Sequence, residues 1–202
     1  GGWDCLIFKI DSSGNIQWRK NIGGDHFDEI NSISQTSDGG YFCGGNSRSN
    51  ISGYKTEDSQ GGEDYWVFKL DNNGNRLWQN TIGGIGKDSI TCAVQTPDGG
   101  YICGGISYSD IGGDKTENCH GDFDYWIIKL DSLGNILWQN TIGGSNWDQL
   151  NSISVTLDGG YICGGFSYSD IGGDKTENSQ GLSDYWIIKL DSLGNIQWQN
   201  TI

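Results

Sequence analysis

Asp124-Tyr125-Trp126-Ile127-Ile128-Lys129-Leu130-Asp131-Ser132-Leu133-Gly134-Asn135-Ile136-Leu137-Trp138 recurs nearly unchanged 60 residues later in this chain. Asp124 to Ile142 returns as Asp184 to Ile202 with one change, Gln197 for Leu137. An older copy starts at Asp64-Tyr65-Trp66 and a worn one at Asp4-Cys5-Leu6, so the shift is 60 residues each time. A fixed long period is the mark of an array of like supersecondary units, each burying its faces against its neighbours. The units run over about 4–63, 64–123 and 124–183, and 184–202 is a further copy of the leading hairpin. We read all of 1–202 as a single repeat domain.

Each unit holds two hairpins. In the first, Trp126 to Leu130 runs into Asp131-Ser132-Leu133-Gly134-Asn135 and returns through Ile136-Leu137-Trp138. Asp at the turn start accepts bonds from turn amides, and Gly supplies a positive φ. Strict alternation sets Leu130 opposite Ile136 and Ile128 opposite Trp138. Trp126, Ile128, Leu130, Ile136 and Trp138 then form one apolar face, and Tyr125, Ile127, Lys129, Leu137 and Gln139 the other. In the second hairpin, Leu150 to Thr156 turns at Leu157-Asp158-Gly159-Gly160 into Tyr161 to Gly165. Asp-Gly between alternating residues is a strong hairpin signal. A short Gly143-Gly144 connector links the two hairpins, and the longer 169–178 loop links the units.

Composition agrees. The 202 residues include 34 glycines, nine tryptophans and nine tyrosines, with one proline and no methionine. No window keeps the i, i+3, i+4, i+7 spacing of a helix. The fold class is therefore all-β, a β-propeller-like array of four-stranded blades belonging to a larger or multi-chain ring. A β-solenoid is the second choice. The opening Gly1-Gly2-Trp3-Asp4 lies mid-pattern, which makes a piece of a longer protein the expectation. Three units and a hairpin are few for a closed ring, so self-association through the terminal hairpins is expected. Phe8, Ile10, Trp18, Trp186, Ile188 and Trp198 are the expected contacts.

The formal charge of −14 repels phosphate backbones and anionic surfaces, arguing against nucleic acid as a partner. No stretch approaches the roughly 20 apolar residues of a membrane helix, so no membrane insertion is expected.

Asp184 to Trp198, with Thr156-Leu157-Asp158-Gly159-Gly160-Tyr161 and Gly173-Asp174-Lys175-Thr176-Glu177-Asn178, resembles the repeats of secreted and cell-surface β-propeller proteins of Bacteroidota. Many of those end in a type IX secretion sorting domain. The resemblance covers essentially the whole chain and implies a propeller fold and a secreted or cell-surface location. It implies no single activity. The chain departs from it in lacking a sorting domain and in placing Cys43, Cys103 and Cys163 where an aliphatic residue is usual.

Several residues are candidates for function. Trp18, Trp78, Trp138 and Trp198 repeat at one strand position and read as packing between blades. Trp66, Trp126, Trp78 and Trp138 are expected to be buried, and Lys115 and Glu117 exposed. Trp147, replacing Phe27 and Lys87, lies in a connector and is the candidate ligand-stacking residue. Asp110, Asp114 and Glu117, and again Asp170, Asp174 and Glu177, offer hard oxygen ligands to Ca²⁺. The same acids also suit solvated turns. Cys119-His120 with Asp122 and Asp124 forms a loose metal-like cluster in one loop. Cys43, Cys103 and Cys163 read as small buried residues, whereas a disulfide between any two of Cys5, Cys92 and Cys119 stays open. Neither His26 nor His120 is repeated, and no Gly-x-Ser-x-Gly or His-Glu-x-x-His motif occurs.

The expected function is a non-catalytic extracellular or cell-surface scaffold, an interaction module whose partner is a protein or a glycan and which needs no cofactor. A lectin-like carbohydrate-binding propeller and the repeat part of a larger secreted enzyme are the alternatives.

Overall fold

The computed structural model describes residues 2–202, and every regular element in them is a β-strand. Among these residues no helix is long and apolar enough to cross a membrane. Strands β1 (Cys5–Ile10) and β2 (Ile16–Ile22) form a two-stranded half-sheet. The first full sheet comprises β3 (Asp28–Gln35), β4 (Tyr41–Ser47), β5 (Asp64–Leu70) and β6 (Arg76–Ile82). The second holds β7 (Asp88–Gln95), β8 (Tyr101–Ser107), β9 (Asp124–Leu130) and β10 (Ile136–Ile142). The third holds β11 (Asp148–Val155), β12 (Tyr161–Ser167), β13 (Asp184–Leu190) and β14 (Ile196–Thr201). Strands neighbour in chain order and every pairing is antiparallel, as in a propeller blade and unlike a β-solenoid.

The sheets are out of phase with units counted from Asp4. Each joins the second hairpin of one such unit to the first of the next, as where β8 pairs β9 with Gly105 opposite Trp126. The connectors therefore work the other way round from the sequence expectation. The short Gly-Gly link crosses to the next sheet, and the long loop stays within one sheet, between β8 and β9. That loop folds back onto its own sheet: Glu117 Oε2 accepts from the Thr141 amide at 2.6 Å, and Lys115 Nζ reaches Thr141 Oγ1.

The turns are as read. Asp131 Oδ1 accepts from the amides of Leu133 at 2.8 Å and Asn135 at 2.9 Å. All tight turns lie at one end of the sheets and all connectors at the other, because Tyr101 pairs with Leu130 and Ser107 with Asp124.

The register after the turn corrects the expected face. Ile136 does lie opposite Leu130, but the next pairs are Trp138 with Lys129 and Gln139 with Ile128. Leu137 is thus an inserted bulge residue, and one extra residue flips everything after it to the other face. Gln17, Leu77 and Gln197 are skipped in the same way. Trp138 consequently shares a face with Tyr125 and Ile127, while Gln139 joins Trp126. The bulge provides a polar partner for a buried indole: Trp126 Nε1 donates to Gln139 Oε1 at 3.1 Å.

Opposite faces of neighbouring sheets make the core. Trp66, Trp126 and Trp186 are fully buried, whereas Trp78 and Trp138 are half-buried. Tyr65 lies 4.9 Å from the Trp126 ring, and its hydroxyl donates to the Trp126 carbonyl at 3.0 Å. Tyr125 repeats this on Trp186, at 5.1 Å and 3.1 Å. Trp78 lies beneath Gly134 of the next sheet, where an added β-carbon would sit 2.8 Å from its ring. Glu117 is exposed as expected, but Lys115 is 2% exposed. Its chain lies along Trp126 with Nζ 5.2 Å from the ring centroid, a cation–π contact that, with the Thr141 hydroxyl, replaces water. Lys175 does likewise over Trp186 with the Thr201 hydroxyl, whereas Lys55 lies over Trp66 with no hydrogen-bond partner for its Nζ.

All six cysteines are free thiols. Cys43, Cys103 and Cys163 are buried, and burial pushes the Cys43 thiol up to about 12. Of the expected self-association contacts, Trp186 and Ile188 are fully covered by the second sheet and Trp18 is half-buried. Phe8, Ile10 and Trp198 stay exposed. The split follows the neighbours: Trp186 and Ile188 face the second sheet and Trp18 lies beneath Gly74 of the first, whereas the Phe8 and Ile10 face of β1 and the Trp198 face of β14 meet no sheet among the described residues.

Candidate functional site

The connector end begins with a buried row of carboxylates. Asp88 pairs with Ser107 and Ser107 with Asp124, so one row of the second sheet reads Asp, Ser, Asp. Both aspartates are fully buried. Asp88 Oδ2 accepts from the Gly84 amide at 2.7 Å and Ser109 Oγ at 2.8 Å, and Asp124 Oδ2 accepts from the His120 amide at 2.5 Å. Asp148 repeats the Asp88 bonds with Gly144 and Ser169 at 2.6 and 3.0 Å. These acids tie the connectors down, satisfying amides that would otherwise face the core.

Burial pushes the Asp124 carboxyl up to about 6, against the His120 amide and with the help of the Asp148 charge. Asp64, Asp88 and Asp148 are raised too, burial leading in each. At the turn end, Asp38 is held down to about 2 by the Thr36 hydroxyl, the Gly40 amide and Lys69. The two groups act oppositely on stability. A raised carboxyl holds its proton longer when folded, so its contribution is complete below the ordinary value and lost as pH rises through about 6. Asp38 contributes above the ordinary value, and its share is lost as pH falls towards about 2. We expect Asp124→Asn to flatten the fall in urea midpoint between about pH 4 and pH 7. An unchanged pH profile in the variant would contradict the assignment.

The acidic loop residues are not assembled for a cation. Glu117 and Glu177 accept from the amides of Thr141 and Thr201 at 2.6 and 2.5 Å. Asp114 and Asp174 point the other way, to Gly83 and Gly143 amides of the preceding connector at 3.3 and 3.2 Å. Asp170 Oδ1 accepts from the Ser179 amide at 3.1 Å, and Asp110 is exposed. Among the described residues no group of three or more His, Cys, Asp or Glu side chains is placed to hold a metal ion. Asp114, Glu117, Asp170, Asp174 and Glu177 thus order loops, each acid being used by a different amide, and Asp110 is a solvated turn acid. In the Cys119-His120 cluster, the thiol lies on the Ser107 and Ser109 carbonyls at 3.1 and 3.3 Å, and His120 Nε2 lies 3.2 Å from Asp174.

The chemistry that differs between copies converges on the rim at this end. Three positions meet where adjacent sheets join: 48, 63 and 87 at one junction, and 108, 123 and 147 at the next. Backbone bonds hold both sets alike. Tyr108 donates to the Lys87 carbonyl at 2.8 Å and Tyr168 to Trp147 at 2.9 Å. Asp88 donates to the Glu63 carbonyl and Asp148 to Phe123, both at 2.6 Å.

The side chains on this shared backbone could hardly differ more. At the first junction Arg48 clasps buried Glu63 through Nε and Nη2, both at 2.9 Å, and Lys87 stands 3.5 Å away. At the second, Phe123 lies 5.2 Å from Tyr108 and 5.5 Å from Trp147. The aromatic cluster runs on to Phe166 and Tyr168, at 6.1 and 6.3 Å from Trp147. Trp147 is 40% exposed and borders an open groove of about 410 Å³, lined also by Asp122, Asn146, Tyr168, Gly181 and Leu182. An aromatic face beside carboxylate and amide groups offers stacking and directed hydrogen bonds together. Trp147 alone was legible as a candidate from its mismatch with Phe27 and Lys87. Tyr108 and Phe123 join it only because the sheets bring distant loops together.

No protein-family model matches the chain. Over 164 residues it is 24% identical to the regulatory protein FlaEY of Caulobacter vibrioides. The match covers 77% of this chain and 17% of that protein, so the likeness is to a part of a larger polypeptide.

Proposed function

We propose that the chain is a non-catalytic scaffold, a secreted or cell-surface interaction module that presents a variable rim on a constant repeat frame. The observation that carries this reading is the exchange of an Arg48–Glu63–Lys87 ion cluster for a Tyr108–Phe123–Trp147 aromatic cluster on the same backbone. A frame that tolerates such replacement presents ligands as binding loops do on a rigid scaffold. The cell-surface setting rests on the resemblance of 184–198 to exported repeats. The Cys5, Cys92 and Cys119 thiols, each pushed up to about 11 by burial, are poor nucleophiles, in keeping with a non-catalytic role.

A glycan ligand is the second reading, favoured by exposed Trp147 beside Asp122 and Asn146. One experiment addresses both. The purified chain is screened against printed extracellular proteins and glycans, alongside Trp147→Ala and an Arg48→Ala, Lys87→Ala double variant. We expect binding that a rim variant abolishes while it stays folded, the double variant melting lower because Glu63 loses both its cations, with glycan binding lost specifically in Trp147→Ala. Binding indifferent to every rim substitution, or none at all, would overturn the proposal.

A further inference from the structure

Several aromatic rings in this chain carry a cation of their own. Lys55, Lys115 and Lys175 lie over Trp66, Trp126 and Trp186, with Nζ 5.8, 5.2 and 5.5 Å from the ring centroids. Arg76 lies 4.6 Å from the Tyr54 ring, and at the connector end Arg48 lies 5.7 Å from Phe27. The Arg48 guanidinium is held there from two sides, by the Phe27 face and by the Glu63 carboxylate at 2.9 Å. A ring face and a carboxylate suit a guanidinium in particular, because the flat cation stacks and donates hydrogen bonds at once.

Trp147 stands at the Phe27 position, two periods later, without a cation. Tyr168 replaces Arg48 there, and among the described residues no lysine or arginine lies over Trp147, Phe123, Tyr108 or Tyr168. The other two parts are present. The indole offers a 40% exposed face, and the Asp122 carboxylate lines the same groove, exposed and with no hydrogen-bond or ion-pair partner among the described residues. This openness belongs to the position in the repeat. Lys87 and Tyr108, the counterparts of Trp147 and Tyr168, lie in the second sheet with a full sheet on either side. Even so, Lys87 keeps 45% of its side chain exposed and Tyr108 is 55% exposed.

We infer that the groove lined by Trp147 and Asp122 takes an arginine side chain presented by a partner protein, the guanidinium stacking on the indole and bonding the carboxylate. The inference rests on the reading of the connector-end rim as a binding surface and names what this part of it recognises. Charge selects the occupant. A chain of net charge −14 draws in a basic segment, and no lysine or arginine of its own lines the groove to compete for the ring. Arginine is preferred to lysine because an ammonium is compact and strongly hydrated, whereas a guanidinium covers the ring and keeps its N–H edge for the acid. Phe123, 5.5 Å from Trp147, supports the indole. A neutral sugar would use the same ring face but gain nothing from the charge, so binding of arginine, unlike that of a sugar, should weaken as salt rises.

The test follows the indole N–H resonance of Trp147 in the isotopically labelled 202-residue chain, assigned by its absence in Trp147→Ala. Nα-acetylarginine amide is titrated in, with Nα-acetylnorleucine amide as the neutral control and a methyl glucoside as the sugar. The arginine derivative is expected to shift that resonance saturably and to bind about fivefold more tightly than the norleucine derivative. Asp122→Asn, at an exposed side chain, should leave the melting temperature unchanged and weaken arginine binding about threefold. No shift with the arginine derivative, an equal response to norleucine, or an Asp122→Asn chain that binds as well as the parent would each overturn the inference. A shift produced by the glucoside alone would overturn it too, while leaving the rim a binding surface for glycans. If the screen above finds a rim-dependent protein partner but arginine leaves Trp147 unmoved, the scaffold reading stands and only this inference falls.

Discussion

Trp126→Ala is expected to lower stability by about 3–5 kcal/mol, the range of large aromatic truncations in well-packed cores. Trp126 is fully buried between the first and second sheets. Removing it leaves a cavity under the Tyr65 ring, takes one of two donors from Gln139 Oε1, which keeps the Thr116 amide, and removes the aromatic surface over which Lys115 lies. The cavity and the lost cation–π contact together set the cost. Trp198→Ala, at the same kind of residue on an exposed face, should change the urea midpoint of the monomer little. Equal losses at both positions would show that the sheets do not stack as described.

Gly134→Ala is expected to cost about 2–4 kcal/mol, from left-handed backbone strain plus overpacking. Its φ is +89°, and the new β-carbon would meet Trp78 Cζ3 at 2.8 Å. That atom belongs to a rigid ring held against Phe42 and Tyr101, so it cannot yield like the tip of a flexible chain. Gly14→Ala shares the strain but has open space, and should cost only about 1–2 kcal/mol. The difference between the two midpoints isolates the contact between sheets. If both substitutions cost the same, tryptophan does not lie beneath the turn.

The all-β class, the 60-residue period and the turns were legible because each rests on local chemistry. Asp131 and Gly134 sit where the turn needs a carboxylate and a positive φ, whatever the rest of the chain does. The face of Trp138 was not legible, since period-2 reading assumes no inserted residue and Leu137 looks like any other strand residue. Lys115 misled for a related reason. A lysine in a polar loop reads as surface, and only the folded loop shows Trp126 and Thr141 waiting for its chain and its amine. The phase of the sheets was hidden as well, because a short glycine link and a long acidic loop do not announce which one changes sheet. At the rim, comparing copies exposed Trp147, but its partners Tyr108 and Phe123 come from other loops and required the fold.

The central claim is that neighbouring copies of the repeat share each sheet. Cross-strand backbone NOEs in the isotopically labelled chain test it most directly. The structure predicts a ladder between β8 and β9, with contacts linking Cys103 to Ile128 and Gly105 to Trp126, and no ladder between β10 and β11. A ladder joining Ile136–Ile142 to Asp148–Val155, with none between Tyr101–Ser107 and Asp124–Leu130, would mean that each copy builds its own sheet, and would contradict the account.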